Sequence, residues 1–230
     1  MIKKNIIKVI EKNDLNFNES HFIMSAIMEG KLNNSQIAAL LIALKSKGET
    51  PEEVAGFAKA MREKGSKINA NDMRTMDVCG TGGDNSNTFN ISTAVSFVVA
   101  AAGIPVAKHG NRSISSKSGS ADVLKALGVN IELSAEQSEK ALNELGITFL
   151  FAPIYHPSMK YAAPVRRELG FKTIFNILGP LTNPAQTKVQ MIGVFNDKAA
   201  KLMADSSEYL GMKNVCFICT ENKYDEITLT

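Results

Sequence analysis

Tryptophan is missing from this 230-residue chain, and only 7% of its residues are aromatic. So few rings argue against the stacking platforms that grip single-stranded nucleic acid. Cys79, Cys216 and Cys219 are too few for a disulfide scaffold. Cys216 and Cys219 form a C-x-x-C, but it lies inside "NVCFICT", which reads as a buried strand, and no second Cys/His pair accompanies it. A metal or redox role there is disfavoured. Long apolar runs are also scarce. The longest, "AVSFVVAAAGIPVA", is broken by Gly103 and Pro105, which excludes a membrane span. "MIKKNIIKVI" lacks the apolar core and cleavage site of a signal peptide, so a cytoplasmic location without membrane partners is expected. Charge of one sign is scarce too. The net value of +3 suits a site for an acidic small molecule better than a nucleic-acid surface.

Hydrophobic residues make up 44% of the chain, enough for one large domain or two unequal ones. The first seventy residues read as helices only. "NNSQIAALLIALKSKG" offers Asn33 or Asn34 as a cap with Gln36 following, and "TPEEVAGFAKAMREKG" has Thr50 as cap, Pro51 in the first turn and Glu53 closing a capping box. Short helices of this kind need a partner for their apolar faces, which makes this segment a candidate dimer surface as well.

From Arg74 the rhythm becomes strand, loop, helix. "TMDVC", "IPVAKHG", "VNIEL", "ITFLF", "KVQMIGVF" and "NVCFIC" read as strands, with helices between them. Such units predict an α/β fold, a mostly parallel sheet flanked by helices, with a smaller all-α domain at the N-terminus. The expected division is 1–72 helical, joined by helices in 157–182 that Pro164 kinks, against an α/β domain of 73–156 and 183–230.

Two polar loops follow consecutive strands and would emerge together at the carboxyl edge of the sheet, where ligands bind. "GTGGDNSNTFNIST" brings glycines that let backbone N–H groups approach an anion, with a helix N-terminus behind them and Thr88, Ser92 and Thr93 as donors. "KHGNRSISSKSGSAD" adds Lys108 and Arg112 as charge, with Ser113, Ser115, Ser116, Ser118 and Ser120 as small donors. A ligand phosphorylated at two ends suits two such loops. A flexible Ser/Gly surface loop is the bland reading. The spacing is neither the dinucleotide G-x-G-x-x-G nor a Walker A loop. Asp84 and the pair Asp225–Glu226 place carboxylates beside these donors, an arrangement that calls for a hard cation such as Mg²⁺; a solvated turn is the plain alternative for the pair.

"DVCGTGGD", "NIST", "KHGNRSISSKSGSADVLKALG", "HPSMKYAAPVRRELG" and "FNILGPLTNPA" together resemble the signature blocks of the anthranilate phosphoribosyltransferases, in order and with family spacing from about Leu32 to Glu226. The resemblance implies transfer of a phosphoribosyl group from 5-phosphoribosyl 1-pyrophosphate (PRPP) to anthranilate, in tryptophan biosynthesis, by a homodimer joined through its helical domain. Carried over by position, it implies that Gly80, Gly83, Asp84, Thr88, Asn90, Ile91, Ser92, Thr93, Lys108, His109, Gly110, Asn111, Arg112, Ser113, Ile114, Ser115, Ser116 and Ser120 hold the donor. Ser92, Asp225 and Glu226 would ligate Mg²⁺, and Gly80, Asn111 and Arg166 would contact anthranilate, Arg166 meeting its carboxylate. Lys108, His109 and Arg166 are the implied catalytic groups, His109 as proton acceptor or aromatic wall, or else simply a structural histidine. His156 reads as a helix-start residue near the acceptor pocket, and His21 as filler.

Chains of that family continue well beyond the Asp225–Glu226 pair, whereas this sequence stops at Thr230. A sheet ending there is expected to keep an open apolar edge, with poor solubility or weak activity. A truncated, inactive or ligand-binding-only version is therefore one alternative. A pyrimidine nucleoside phosphorylase of the same fold is another, though it needs only one phosphate site. A nucleic-acid-binding protein using Lys108, Arg112 and Lys117 is the third, and it predicts steep salt dependence.

Overall fold

The computed structural model describes residues 1–70, 73–82, 89–112, 118–222 and 224–228. The chain forms two compact units, one of 1–65, 156–182 and 202–211, the other of 66–155, 183–201 and 212–230.

The first unit is helical. It contains α1 (Ile2–Ile10), α2 (Phe17–Met28), α3 (Asn34–Lys47) and α4 (Pro51–Lys64). Asn16, Asn33 and Thr50 cap the last three, each in a reciprocal box with the residue three positions on: Glu19, Gln36 and Glu53. These pairings satisfy donors that a helix start leaves without partners. The apolar faces of Ile23, Ile27, Ile37, Leu40, Leu44 and Phe57 are essentially sealed from solvent. Gly56 permits the close crossing of α4 over α2, because a Cβ there would sit 2.5 Å from the Phe17 carbonyl oxygen.

Glu53 does more than cap. Its fully buried carboxylate accepts from the N–H groups of Leu15 and Thr50, both at 2.9 Å, and from Lys47 Nζ at 3.0 Å. Lys47 also reaches Asp14 at 2.6 Å. The returning segment adds a 3₁₀ turn at Pro157–Tyr161, α9 (Ala163–Leu169), α10 (Phe175–Leu178) and a second 3₁₀ turn at Gly179–Thr182. Pro164 does not kink a helix as expected; it stands in the first turn of α9, where a missing N–H costs nothing.

The second unit holds five strands: β1 (Met76–Gly80), β2 (Val106–Gly110), β3 (Ile147–Phe151), β4 (Val189–Gly193) and β5 (Asn214–Ile218). Their spatial order is β3-β2-β1-β4-β5, and every paired neighbour is parallel. Helices α5 (Ile91–Ala101), α6 (Ser120–Ala126), α7 (Ala135–Leu145), the short α8 (Ala152–Tyr155) and α11 (Asp197–Tyr209) make the connections, with α11 shared between the units. This is the α/β class the sequence predicted. Along β3 the side chains alternate: Phe149 and Phe151 pack with Leu124 and Ile131, whereas Leu150 packs with Leu142 and Tyr155.

Two expectations fail here. "VNIEL" is not a strand; Val129–Leu133 has no regular structure, and Ile131 serves the core from a loop because β3 pairs directly with β2. "NVCFIC" is a strand, but not a buried one. As β5 it lies at the end of the sheet, with Cys216 exposed.

Replacing Glu53 by Ala would leave the Leu15 and Thr50 N–H groups without their buried acceptor and take from Lys47 its buried partner, leaving it Asp14 and the Gly48 carbonyl. Loss of one partner of a buried pair costs about 3–5 kcal/mol. Urea denaturation of Glu53→Ala is expected to show a loss of that order, against well under 1 kcal/mol for removing the exposed i, i+4 partner in Lys140→Ala.

Candidate active site

Strands β1, β2 and β4 all end in glycine, at Gly80, Gly110 and Gly193. Gly80 and Gly193 lie opposite one another in register. The carboxyl edge of the sheet is thus bare of side chains at three adjacent strands, and the chain can cross directly above it. It does so at 220–226. Thr220 and Tyr224 pair antiparallel through two 2.9 Å backbone bonds, with Glu221 and Asn222 between them in the left-handed region. Thr220 Oγ1 then donates to the Glu226 carbonyl at 2.7 Å.

This reversal lays Asp225 over the strand ends. A Cβ on Gly193 would fall 1.9 Å from the Asp225 carbonyl oxygen, and one on Gly80 would fall 3.2 Å from Asp225 Oδ2. The same edge is closed by Thr81, whose N–H donates to the Gly193 carbonyl at 2.9 Å and whose Oγ1 accepts from Phe195 N–H at 3.2 Å.

Lys108 occupies the centre of this edge. The sequence reading put it where the strand "IPVAKHG" runs into the polar loop; it lies within β2 and is only 3% exposed. Its Nζ donates to the Val78 carbonyl and sits 3.3 Å from Ser92 Oγ, in the first turn of α5. Burial pulls its pKa down, while the charges of Asp77, Cys79 and Glu226 push it back up. The Lys108 amine is thus held at the sheet edge beside Ser92 and within the field of Glu226.

Helix α5 presents its N-terminus here. Asn90, its N-cap, does not cap it; the amide instead reaches 3.4 Å to the Ser118 carbonyl, so the start of the helix is tied to the loop after β2. Thr93 is buried in the same turn. On the other loop, Gly110 packs against Phe149, Asn111 and Arg112 are exposed, and Arg112 lies over the Phe151 ring at 5.8 Å. Asn111 Oδ1 accepts from the Arg112 N–H, its carbonyl accepts from Ala121 N–H, and Ser120 opens α6. Ile91 is half-buried at the start of α5. Gly83, Asp84, Thr88, Ser113, Ile114, Ser115, Ser116 and the alternative's Lys117 lie outside the described residues.

His109 is buried, and its backbone N–H donates to Asp77 Oδ1 at 3.2 Å. Arg166 belongs to the helical unit, on α9, with its guanidinium over the Phe175 ring at 5.1 Å; burial pulls its pKa down. His156 precedes the Pro157–Tyr161 turn, buried, with Nε2 3.0 Å from the Thr182 carbonyl. His21 pairs with Glu63 at 2.7 Å on the surface of the helical unit.

The donor set for a cation, a hydroxyl and two neighbouring carboxylates, is all oxygen and suits Mg²⁺. Among the described residues no cluster of three or more His, Cys, Asp or Glu forms a closed metal site. An ion at Asp225 and Glu226 would therefore fill its coordination with other oxygens, as Mg²⁺ does with water and phosphate. Sequence reasoning assigned no role to Asp77, Asn183, Thr81 or Gly193. Asn183 sits in the quoted "FNILGPLTNPA", and Gly193 repeats the strand-ending glycine of Gly80 and Gly110.

A phosphate-seeking edge on a parallel sheet, with a separate helical unit, is the pattern of a glycosyl transferase. The helical bundle domain of that family matches residues 3–65 and its a/b domain residues 72–230. The chain belongs to the anthranilate phosphoribosyltransferase family. It is 52% identical over 230 residues to the anthranilate phosphoribosyltransferase of Alkaliphilus metalliredigens, covering 100% of this chain and 68% of that one. It is 53% identical to the enzyme of that name from Acetivibrio thermocellus, with 100% and 67% covered. The crystal structure of the Thermus thermophilus anthranilate phosphoribosyltransferase superposes with a TM-score of 0.92 at 43% identity, covering 98% of this chain and 68% of that one. The Saccharomyces cerevisiae enzyme in complex with PRPP and Mg gives 0.87 at 25% identity, with 99% and 68% covered.

Gly193→Ala tests the construction of the edge. Its Cβ has no room beneath Asp225, so the 220–226 segment must shift. Overpacking of this kind costs about 1–3 kcal/mol. Thermal melting is expected to report a loss in that range, with faster amide exchange concentrated in 194–226; an unchanged exchange pattern would contradict the close approach.

Proposed function

We propose that this chain transfers the 5-phosphoribosyl group from PRPP to anthranilate, releasing pyrophosphate and giving N-(5-phosphoribosyl)anthranilate, a step of tryptophan biosynthesis. The observation that carries the reading is the buried Lys108, set at a glycine-lined sheet edge beside the start of α5, where Asn90 makes no side-chain cap, with the Asp225–Glu226 pair on the segment that crosses the same edge. Family membership supports it, as does the S. cerevisiae relative's complex with PRPP and Mg.

The chemistry asks for little beyond electrostatics and position. As the bond from the anomeric carbon to pyrophosphate breaks, positive charge grows on the ribose ring and negative charge on the leaving group. Lys108 and the N–H groups of the first turn of α5 face that negative charge without having to reorganise. Mg²⁺, when held by Ser92, Asp225 and Glu226, supplies further charge neutralisation to the pyrophosphate oxygens. Gly80 leaves room for the ligand to approach the backbone, and Asn111 offers an exposed amide at the mouth. Arg166 would receive the anthranilate carboxylate through its paired N–H donors, with Phe175 holding the guanidinium plane. The acceptor amine is neutral at pH 7, so no strong base is required. Alignment of reacting atoms can supply about 7–11 kcal/mol in well-oriented systems. A homodimer through the helical unit belongs to the same reading, supported by the exposed Ile7 and Ile10 on α1 and Ile42 on α3. No helix among the described residues is long and apolar enough to cross a membrane. A cytoplasmic location belongs to the same reading.

Anthranilate fluorescence should fall when the chain is mixed with PRPP and Mg²⁺, and EDTA should stop it. Phosphorolysis of thymidine or uridine, with anthranilate untouched, would overturn the assignment in favour of a nucleoside phosphorylase. Arg166→Ala is expected to raise the KM for anthranilate by tenfold or more and that for PRPP by less than threefold. Equal effects on the two would remove Arg166 from the acceptor site.

A further inference from the structure

The seam between β1 and β2 is unlike the others in the sheet. Among the described residues the two strands are in register only at Met76 and Val106, whereas β1–β4, β2–β3 and β4–β5 each run five residues in step. Beyond Val106 the backbones are joined by side chains instead. Asp77 Oδ1 accepts from the His109 N–H at 3.2 Å, and Asp77 Oδ2 accepts from Asn183 Nδ2 at 2.8 Å and Gln190 Nε2 at 3.4 Å. Asn183 Nδ2 donates also to the Ala107 carbonyl at 2.8 Å, and its Oδ1 accepts from the Ala185 N–H at 2.8 Å. Lys108 Nζ closes the other side on the Val78 carbonyl. Asp77 is fully buried and Asn183 is 4% exposed.

We propose that Asp77 and Asn183 form a clamp that holds β1 and β2 apart at their carboxyl ends, and that this spacing sets Lys108, His109 and Gly110 in place to receive the phosphoribosyl donor. They are positioning residues: neither is placed against substrate. The inference rests on the donor-binding reading of Lys108–Gly110. Its physical basis is the accounting of buried polar groups. In a close parallel ladder, β1 carbonyls would take the N–H groups of β2. Here a carboxylate takes the His109 N–H and an amide takes the Ala107 carbonyl, so the gap is satisfied rather than left as a defect. The amide of Asn183 has one orientation, since both its Nδ2 partners are acceptors and its Oδ1 partner is a donor. Exchange of Asp77 for Asn keeps an acceptor for His109 but places an NH₂ group against the NH₂ groups of Asn183 and Gln190. The clamp must then open or rotate.

The test uses the full chain and two variants, Asp77→Asn and Asn183→Ser, so that failure of one to fold leaves the other. Amide exchange of the unliganded proteins and calorimetric titration with PRPP and Mg²⁺ are measured together, with steady-state KM values for both substrates. The expected result is at least tenfold faster exchange at His109, PRPP affinity weakened about tenfold or more, and the KM for anthranilate within twofold of the parent. Parent-like PRPP affinity in the folded variants would overturn the positioning role. So would a parallel rise in both KM values, which is what a general loss of stability produces. If the parent chain itself does not bind PRPP, the donor reading fails. Exchange at His109 then shows separately whether the clamp exists, and unchanged exchange in the variants overturns it.

Discussion

A positive charge buried in a β-sheet is expensive unless its surroundings supply what water would have supplied. Lys108 meets that condition through a main-chain carbonyl, a serine hydroxyl and the fields of Asp77 and Glu226. These come from three elements: β1, α5, and the segment that crosses above the strand ends. The ammonium therefore depends on the correct assembly of the whole edge, and the edge in turn has its charge in place before any ligand arrives. Burial also pushes Asp77 up from its ordinary carboxylate range, against hydrogen bonds from Asn183 and the charge of Lys108. The two groups lie on opposite sides of one seam and temper one another.

The glycines at the strand ends convert that stored charge into an accessible one. Gly193 and Gly80 allow Asp225 to lie on the sheet edge, carried on a short reversal instead of a strand. Larger residues there would push Asp225 off the strand ends. The acids and the lysine are thus set at a common edge by absence of side chains as much as by their presence.

Much of this was legible in the sequence, and the parts that were not share a cause. The boxes Asn33–Gln36 and Thr50–Glu53 are local, three residues apart, and the structure contains both. The strand–loop–helix rhythm gave the α/β class because periodicity is also local. Lys108 was read as charge for the polar loop because a lysine inside "VAKHG" is explained only by Val78 and Ser92, which lie 30 and 16 residues away. Asp77 and Asn183 are 106 residues apart, and nothing in "TMDVC" or "GPLTNPA" announces their contact. "VNIEL" alternates like a strand yet stays outside the sheet, because β3 pairs directly with β2 and the segment gives the core only Ile131, an outcome invisible from the segment itself. Cys216 is exposed for a related reason, since burial at β5 depends on what lies next to it.

The contrast between helix starts carries the last step. Helices α2, α3, α4 and α7 all satisfy their first-turn N–H groups with their own side chains. Helix α5 does not use Asn90 in that way, and no acidic residue stands in its first turn. An acid there would compete with an anionic ligand for the same N–H groups and the same end of the helix dipole. Asn90 instead spends its amide on Ser118, coupling the start of α5 to the loop after β2. The N-cap residues of α1, α6, α9 and α10 make no side-chain cap either, so a missing cap does not by itself mark α5; what marks it is the tie from Asn90 to the loop after β2 and the nearness of Lys108. The Lys108 ammonium, 3.3 Å from the hydroxyl of Ser92 in the same turn, points to the same place from the sheet. The Lys108 side chain and the first turn of α5 meet at one edge, and it is on this convergence, more than on any single residue, that the proposed phosphate site rests.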